Sequence, residues 1–221
     1  MFDRIAPRYD LVNRAITFGL DRGWRTRTAR ALDLAPGATV LDLASGTGDF
    51  LRELTALGHH GVGLDLSFGM LAATRGTSSP LVEADGATMP IADGAFDGVV
   101  CGFAIRNFTD LAAVFAECAR ILRPAGRLAI LEVDTPPSTI LRVGHDLWFN
   151  KVVPRIGAVL SDSSAYRYLP RSVAYLPNPR ALGRMIEHAG FTGVTRHQLA
   201  GGVAQLVTAT RIGVYGVSGT P

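Results

Sequence analysis

The chain has 221 residues, 48% apolar and 19% charged, with a formal net charge of +3. That suffices for one α/β domain with a sizeable core, is short for two, and excludes a disordered or collagenous chain. Two cysteines, Cys101 and Cys118, both in apolar segments, are too few for a disulfide framework or a four-ligand zinc site. No apolar run approaches the roughly 20 residues that span a bilayer, and the opening, with Asp3, Arg4, Arg8 and Asp10, lacks a signal-peptide core. A cytoplasmic protein is expected, with peripheral contact at the inner face of a membrane left open.

Residues 1–30 hold seven arginines against three aspartates, a basic opening that is either a solvated helix face or a surface for anionic lipid or nucleic acid. Residues 8–32 read as mostly helical, broken near Gly19 to Gly23. Thr39 to Leu43 is a short apolar strand that enters Ala44-Ser45-Gly46-Thr47-Gly48, after which Phe50, Leu51, Leu54 and Leu57 have helical spacing. The pattern repeats: strand two over Gly61 to Leu66, a short helix capped by Ser67, strand three over Leu81 to Ala84, strand four over Phe96 to Phe103. Thr109 is the expected N-cap of a helix with Leu111, Val114, Phe115, Cys118 and Leu122 on one face, stopped by Pro124 and Gly126. Strand five follows, over Arg127 to Val133.

Residues 134–177, rich in aromatics and prolines, break the rhythm and are expected to form a helical lid. Asn178 caps and Pro179 opens a further helix, closed by Gly190. The segments Phe191 to Gln198 and Val203 to Thr210 leave no room for a helix between them, so they should pair antiparallel. The expected organisation is one domain: an N-terminal helical segment (1–36), a cofactor-binding core (37–133), an insertion (134–177), a helix and terminal hairpin (178–211) and a tail (212–221). A mostly parallel, Rossmann-like α/β sheet finished by such a hairpin resembles the class I methyltransferase fold.

In an open α/β sheet the ligand sits beyond the carboxyl ends of the strands. There the first glycine turn lets it approach the backbone, and a carboxylate after strand two binds ribose hydroxyls. Gly46, Thr47 and Gly48 supply the turn, Asp65 and Leu66 end strand two, and Asp85-Gly86 follows strand three, where a side chain can accept from an adenine amino group. Gly102, ending strand four, offers space or backbone only. Leu51 stands where a dinucleotide fingerprint has its third glycine, and a long segment precedes strand one. Both features favour S-adenosylmethionine over NAD. The histidines show no metal-ligand spacing, so no metal is expected.

The stretches MFDRIAPRYDLVNR, LDRGWR, VLDLASGTGD, DGAFDGVVCGFAIRNFTDL, ILRPAGRLAILE, AYRYLPRSVAYLP and LAGGVAQL resemble, in order and over residues 2–211, the ubiquinone/menaquinone biosynthesis C-methyltransferases. The chain departs from the family's pattern at Gly102, near Val207, at Leu131-Glu132-Val133-Asp134 and in a shorter helix after strand two. The resemblance implies methyl transfer from S-adenosylmethionine, leaving S-adenosylhomocysteine, to a ring carbon of a polyprenylated quinol, demethylmenaquinol or a ubiquinone-type precursor. It further implies no nucleic-acid partner, with a homodimer and membrane contact both open.

Such a carbon is nucleophilic only when the ring is reduced and an adjacent hydroxyl is at least partly deprotonated. Arg106 is then expected to hold the phenolate oxygen with Asn107 beside it. Arginine is a poor proton acceptor, so the base is water or a carboxylate. The family's opening implies that Tyr9 and Arg25 contact the methionine part of the cofactor. Tyr166, Tyr168 and Trp148 are candidates to line a ring-sized pocket or to pack a lid, and Asp134, His145 and Asp146 are candidate proton relays. Glu132 either orients Arg106 or pairs elsewhere. The competing readings are a methyltransferase for another small apolar acceptor, an NAD-dependent oxidoreductase and a non-catalytic cofactor-binding protein.

Overall fold

The computed structural model describes residues 11, 14–139, 142, 147, 148, 172, 173 and 175–213. Its parallel core is made of β1 (Thr39–Leu43), β2 (His60–Asp65), β3 (Leu81–Glu83), β4 (Phe96–Gly102) and β5 (Leu122–Val133). Two further strands, β6 (Phe191–Leu199) and β7 (Ala204–Arg211), complete a seven-stranded sheet of order β3-β2-β1-β4-β5-β7-β6. β7 lies antiparallel between β5 and β6, as the short connection requires. The order reverses between β1 and β4, which opens a crevice at their carboxyl ends.

The inner strands are covered on both faces, so they read as near-continuous apolar runs. Alternate residues serve opposite layers. Leu41, Leu43, Val99 and Cys101 pack with Val114, Phe115 and Cys118 of α4 (Leu111–Ile121) and with Leu182 and Ile186 of α5 (Pro179–His188). Val40 and Val100 pack on the other face with Ala29 of α1 (Leu20–Arg30) and with Phe50 and Leu54 of α2 (Asp49–Ala56). A short α3 (Phe68–Ala72) follows β2. Both cysteines are buried free thiols; burial pushes Cys118 up to about 12 and raises Cys101 as well, which keeps both protonated.

Apart from one-residue shifts at the ends of several strands, three boundaries differ from the sequence reading. The opening helices break at Phe18 and Gly19, both left-handed at φ 53° and 74°, while Gly23 stays inside α1. The α4 cap is Asp110, not Thr109: its carboxylate accepts the Ala113 amide at 3.0 Å, and one residue later in the chain it is the stronger acceptor. β5 begins at Leu122, which pairs with Phe96 before a bulge skips to the Gly98–Arg127 pair. Pro124 and Gly126 thus stop the helix without excluding the segment from the sheet.

Candidate active site

A cavity of about 490 Å³ occupies the crevice above β1, β2 and β4. On its first side the chain leaves β1 through Ala44, Gly46 and Gly48, all with positive φ, and turns directly into α2. A Cβ on Gly46 would meet nothing within 4 Å, whereas one on Gly48 would lie 2.8 Å from the Thr74 Cγ2. Gly46 therefore faces open space and Gly48 is closely packed. Asp65 holds this turn: one carboxylate oxygen accepts the Gly46 amide at 2.8 Å and the other the Ser67 amide at 2.8 Å. Ser67 in turn caps α3 by accepting from Met70 at 3.2 Å. Asp85 accepts from the Ala87 amide at 2.9 Å, and a Cβ on Gly86 would meet the Phe108 ring at 3.0 Å. Leu66 and Phe68 are exposed beside this end of the cavity.

The second side is built where β4 runs into a single 3-10 turn, Ile105–Asn107. Phe103 takes a left-handed φ of 56°, a strain that an aromatic residue adopts only when its surroundings impose it. Phe103, Asn107, Phe108 and Asp110 line the cavity. The Asn107 side-chain oxygen is buried with no hydrogen-bond partner. The Arg106 guanidinium is not part of the wall. It forms a buried ion pair with Glu132, which is 0% exposed, and its Nε donates to the Ser172 hydroxyl at 3.2 Å. Fully buried at the end of β5, Glu132 requires a cation, and Arg106 is the one beside it.

Behind the glycine turn lies a buried charged group. Arg25 sits 5.3 Å from the Phe50 ring centroid and 5.4 Å from that of Phe103, with Asp49 at 3.5 Å and Asp21 at 3.9 Å. A Cβ on Gly102 would lie 2.5 Å from the Phe50 ring and 3.1 Å from the Arg25 Nη1. This glycine is what allows ring and guanidinium to close against β4. Burial drives the Asp42 carboxyl well above its ordinary value; Arg25 lowers it only in part, and Asp65 and Asp49 raise it further. One Asp42 oxygen, the Ser45 hydroxyl and the Arg25 Nε are buried without a hydrogen-bond partner, the Arg25 Nε having only the ion pair to Asp21.

Of the residues singled out from sequence, Gly46, Asp65, Leu66, Asp85, Gly86, Gly102 and Asn107 meet at this cavity, while Thr47, Gly48, Arg25, Arg106 and Trp148 do not line it. Thr47 is buried and its carbonyl accepts from Arg52 at 3.0 Å. The Trp148 indole donates to the Ile16 carbonyl at 3.2 Å and its ring lies 4.5 Å from that of Phe18. Asp134 accepts from Gln198 at 2.9 Å, pairs with Arg196 and borders a separate cavity of about 280 Å³. Tyr9, His145, Asp146, Tyr166 and Tyr168 lie outside the described residues, as does most of the expected lid. Sequence reasoning placed the aromatic wall in the insertion and missed Phe103 and Phe108. The signal was present: both flank the Arg106-Asn107 pair directly after strand four.

The sequence model of the ubiE/COQ5 methyltransferase family matches residues 1–211. The chain is 39% identical to the demethylmenaquinone methyltransferase of Corynebacterium kroppenstedtii and 42% identical to that of Mycolicibacterium gilvum, in each case over 96% of this chain and 93% of the relative. Among solved structures, a methyltransferase from Thermotoga maritima superposes with a TM-score of 0.66 at 18% identity, covering 95% of this chain and 97% of that one. Phosphoethanolamine N-methyltransferase 2 of Haemonchus contortus, solved with S-adenosylhomocysteine, gives 0.66 at 14% identity over 86% of this chain and 52% of that one. The fold is that of the class I methyltransferases.

Proposed function

Because the chain belongs to the ubiE/COQ5 methyltransferase family, we propose that it carries the methyl group of S-adenosylmethionine to a ring carbon of demethylmenaquinol, giving menaquinol. The observation that carries this reading is the shared cavity, walled by Gly46 and Asp65 after β1 and β2, by Asp85, Gly86 and Phe108 beside them, and by Phe103 and Asn107 after β4. A nucleoside and an apolar ring are thereby held side by side. The names of the relatives, at 39% and 42% identity, support a naphthoquinol over a benzoquinol.

The residues present fit the cofactor. Asp65 and Asp85 bring carboxylates to ribose hydroxyls and an adenine amino group, and the space before Gly46 admits the ligand to the backbone. Asp42, Ser45 and Arg25 lie behind the glycine turn and line none of the cavity, so they support the floor beneath the cofactor's amino-acid end. When bound, S-adenosylmethionine supplies an electrophilic methyl group on a sulfonium.

The chain's own part is to make the acceptor carbon nucleophilic and to keep water out. The Asn107 side-chain oxygen accepts from the ring hydroxyl and orients it, and Phe103 packs the ring, while Phe108, against Gly86, packs the nucleoside end. Asp110, at the exposed lip of the same wall, takes up the proton. Arg106 acts as a positioning residue: its charge is matched by Glu132, so it holds the turn that presents Asn107 more than it holds an anion. The acceptor's prenyl tail keeps it in a bilayer, so the enzyme meets it at a membrane surface. No helix among the described residues is long and apolar enough to cross a membrane.

Incorporation of a labelled methyl group tests this directly. Reduced demethylmenaquinol is the expected acceptor and the oxidised quinone is expected to be inert. Failure to label any reduced naphthoquinol or benzoquinol, with S-adenosylhomocysteine still bound, would refute the acceptor.

A further inference from the structure

Residues 11–22 expose apolar and basic side chains together. Residues 14–17 are helical, the Gly19 amide closes the turn on the Arg14 carbonyl at 2.9 Å, and α1 leaves from Leu20. At the tip stands Phe18, 71% exposed although its backbone is left-handed at φ 53°. An aromatic residue gains nothing locally from that conformation, and here the conformation thrusts the ring outward instead of burying it. Leu11, Leu20 and Leu147 are exposed as well, and the Phe18 ring is backed by Trp148.

Charge decides what this face meets. Arg14, Arg22, Arg27 and Arg30 are exposed, the Arg22 side chain to 87% although its Nε lies 3.9 Å from the largely buried Glu53 carboxylate. The single carboxylate in residues 11–30, Asp21, is buried, where it accepts from Thr17 at 2.8 Å and neighbours Arg25. The outer face of this segment is thus apolar and cationic with no exposed acid. That pattern repels a like-charged protein surface and suits the phosphates and upper acyl chains of an anionic bilayer. At 1.5 Å per residue, α1 carries the chain only about 8 Å from Leu20 to Arg25, which packs against Gly102 and Phe103 of the cavity wall.

We propose that this face is the lipid-docking surface, with Phe18 and Leu20 entering the headgroup region and Arg14 and Arg22 meeting lipid phosphate. It deepens the reading above, on which it rests for the tail-bearing acceptor: docking here sets the cavity one short helix away from the bilayer that holds the substrate.

Flotation separates the possibilities, using vesicles of phosphatidylcholine alone and of phosphatidylcholine and phosphatidylglycerol in equal parts. The full chain should float with the mixed vesicles about tenfold more than with the neutral ones, and salt should weaken the binding. Phe18→Gly, which removes the ring and relaxes the left-handed backbone, should abolish most of the flotation without unfolding the chain. The Arg14→Glu/Arg22→Glu pair should do the same while S-adenosylhomocysteine binding is unchanged. No flotation of the wild type, or flotation that neither variant changes, overturns the proposal. So does a wild-type dimer that fails to float and that Phe18→Gly turns into a monomer, since the face would then belong to a second copy. A protein that floats as described yet methylates no quinol supports the docking surface and overturns the acceptor. One that methylates a short-tailed quinol but ignores every vesicle does the reverse.

Discussion

At the β1–β2 end of the cavity, polar groups are fixed by backbone amides: Asp65 accepts the amide of Gly46, nineteen residues earlier, and that of Ser67, two residues later. At the β4–β5 end, the Arg106 side chain meets the side chains of Glu132, 26 residues on, and Ser172, 66 residues on. The first end resembles a hinge of amides and one carboxylate, robust because its bonds are partly solvated. The second relies on a buried charge pair, so it tolerates loss of either partner poorly. Under the proposed function, the contrast assigns different duties: the amide-held end would bind the cofactor, and the ion-paired end would hold the acceptor wall in shape.

The comparison breaks most visibly at Glu132. Glu132→Ala leaves the Arg106 cation buried and unpaired, and chemical denaturation should show a loss of about 3–5 kcal/mol, whereas the paired replacement Arg106→Met/Glu132→Leu should fold nearly as well as the wild type. Next comes Asn107→Leu, which removes the orphaned acceptor with little change in volume. Steady-state kinetics should show kcat reduced about 100-fold, roughly 2.7 kcal/mol, with S-adenosylhomocysteine affinity retained. At the other end, Asp65→Ala should weaken S-adenosylhomocysteine binding by about 30-fold in calorimetry, near 2 kcal/mol, with a smaller effect on fold stability.

The smallest effect concerns Asp42 and depends on pH. Its folded-state pKa lies above the unfolded value because burial outweighs Arg25. The associated stability is present below the ordinary carboxylate range and is lost as pH rises through the raised value. Thermal melts of ligand-free protein should therefore decline upward across that window. Asp42→Asn should flatten the decline and leave the protein more stable than the wild type at its alkaline end.

The difference between the two ends also explains what the sequence made legible. Strand-turn-helix periodicity placed β1 to its terminal residues, and the Ser67 and Asn178 caps were readable because a cap bonds within three residues. The antiparallel β6–β7 pair followed from chain length alone. Where the outcome depended on tertiary packing, local reading failed. The break fell at Gly19 as expected but drew in Phe18 and left Gly23 helical, and Leu122 joined the sheet through one pair with Phe96. In the site, Asp65 and Asp85 were legible from their place after β2 and β3. The pairing of Arg106 with Glu132 was one of two alternatives the sequence left open, because nothing local to Phe103-Ala104-Ile105-Arg106-Asn107 decides between them. Gly102 reads as mere space until Phe50 and Arg25 are seen to close against it.

The central claim is that the ring held against Asn107 is methylated on carbon. Carbon-13 NMR of the product formed from reduced demethylmenaquinol and methyl-labelled S-adenosylmethionine tests it most directly. The account predicts a single enriched methyl bonded to a ring carbon, and its loss in Asn107→Leu. An enriched methyl on a ring oxygen, or label that persists unchanged in Asn107→Leu, would contradict it.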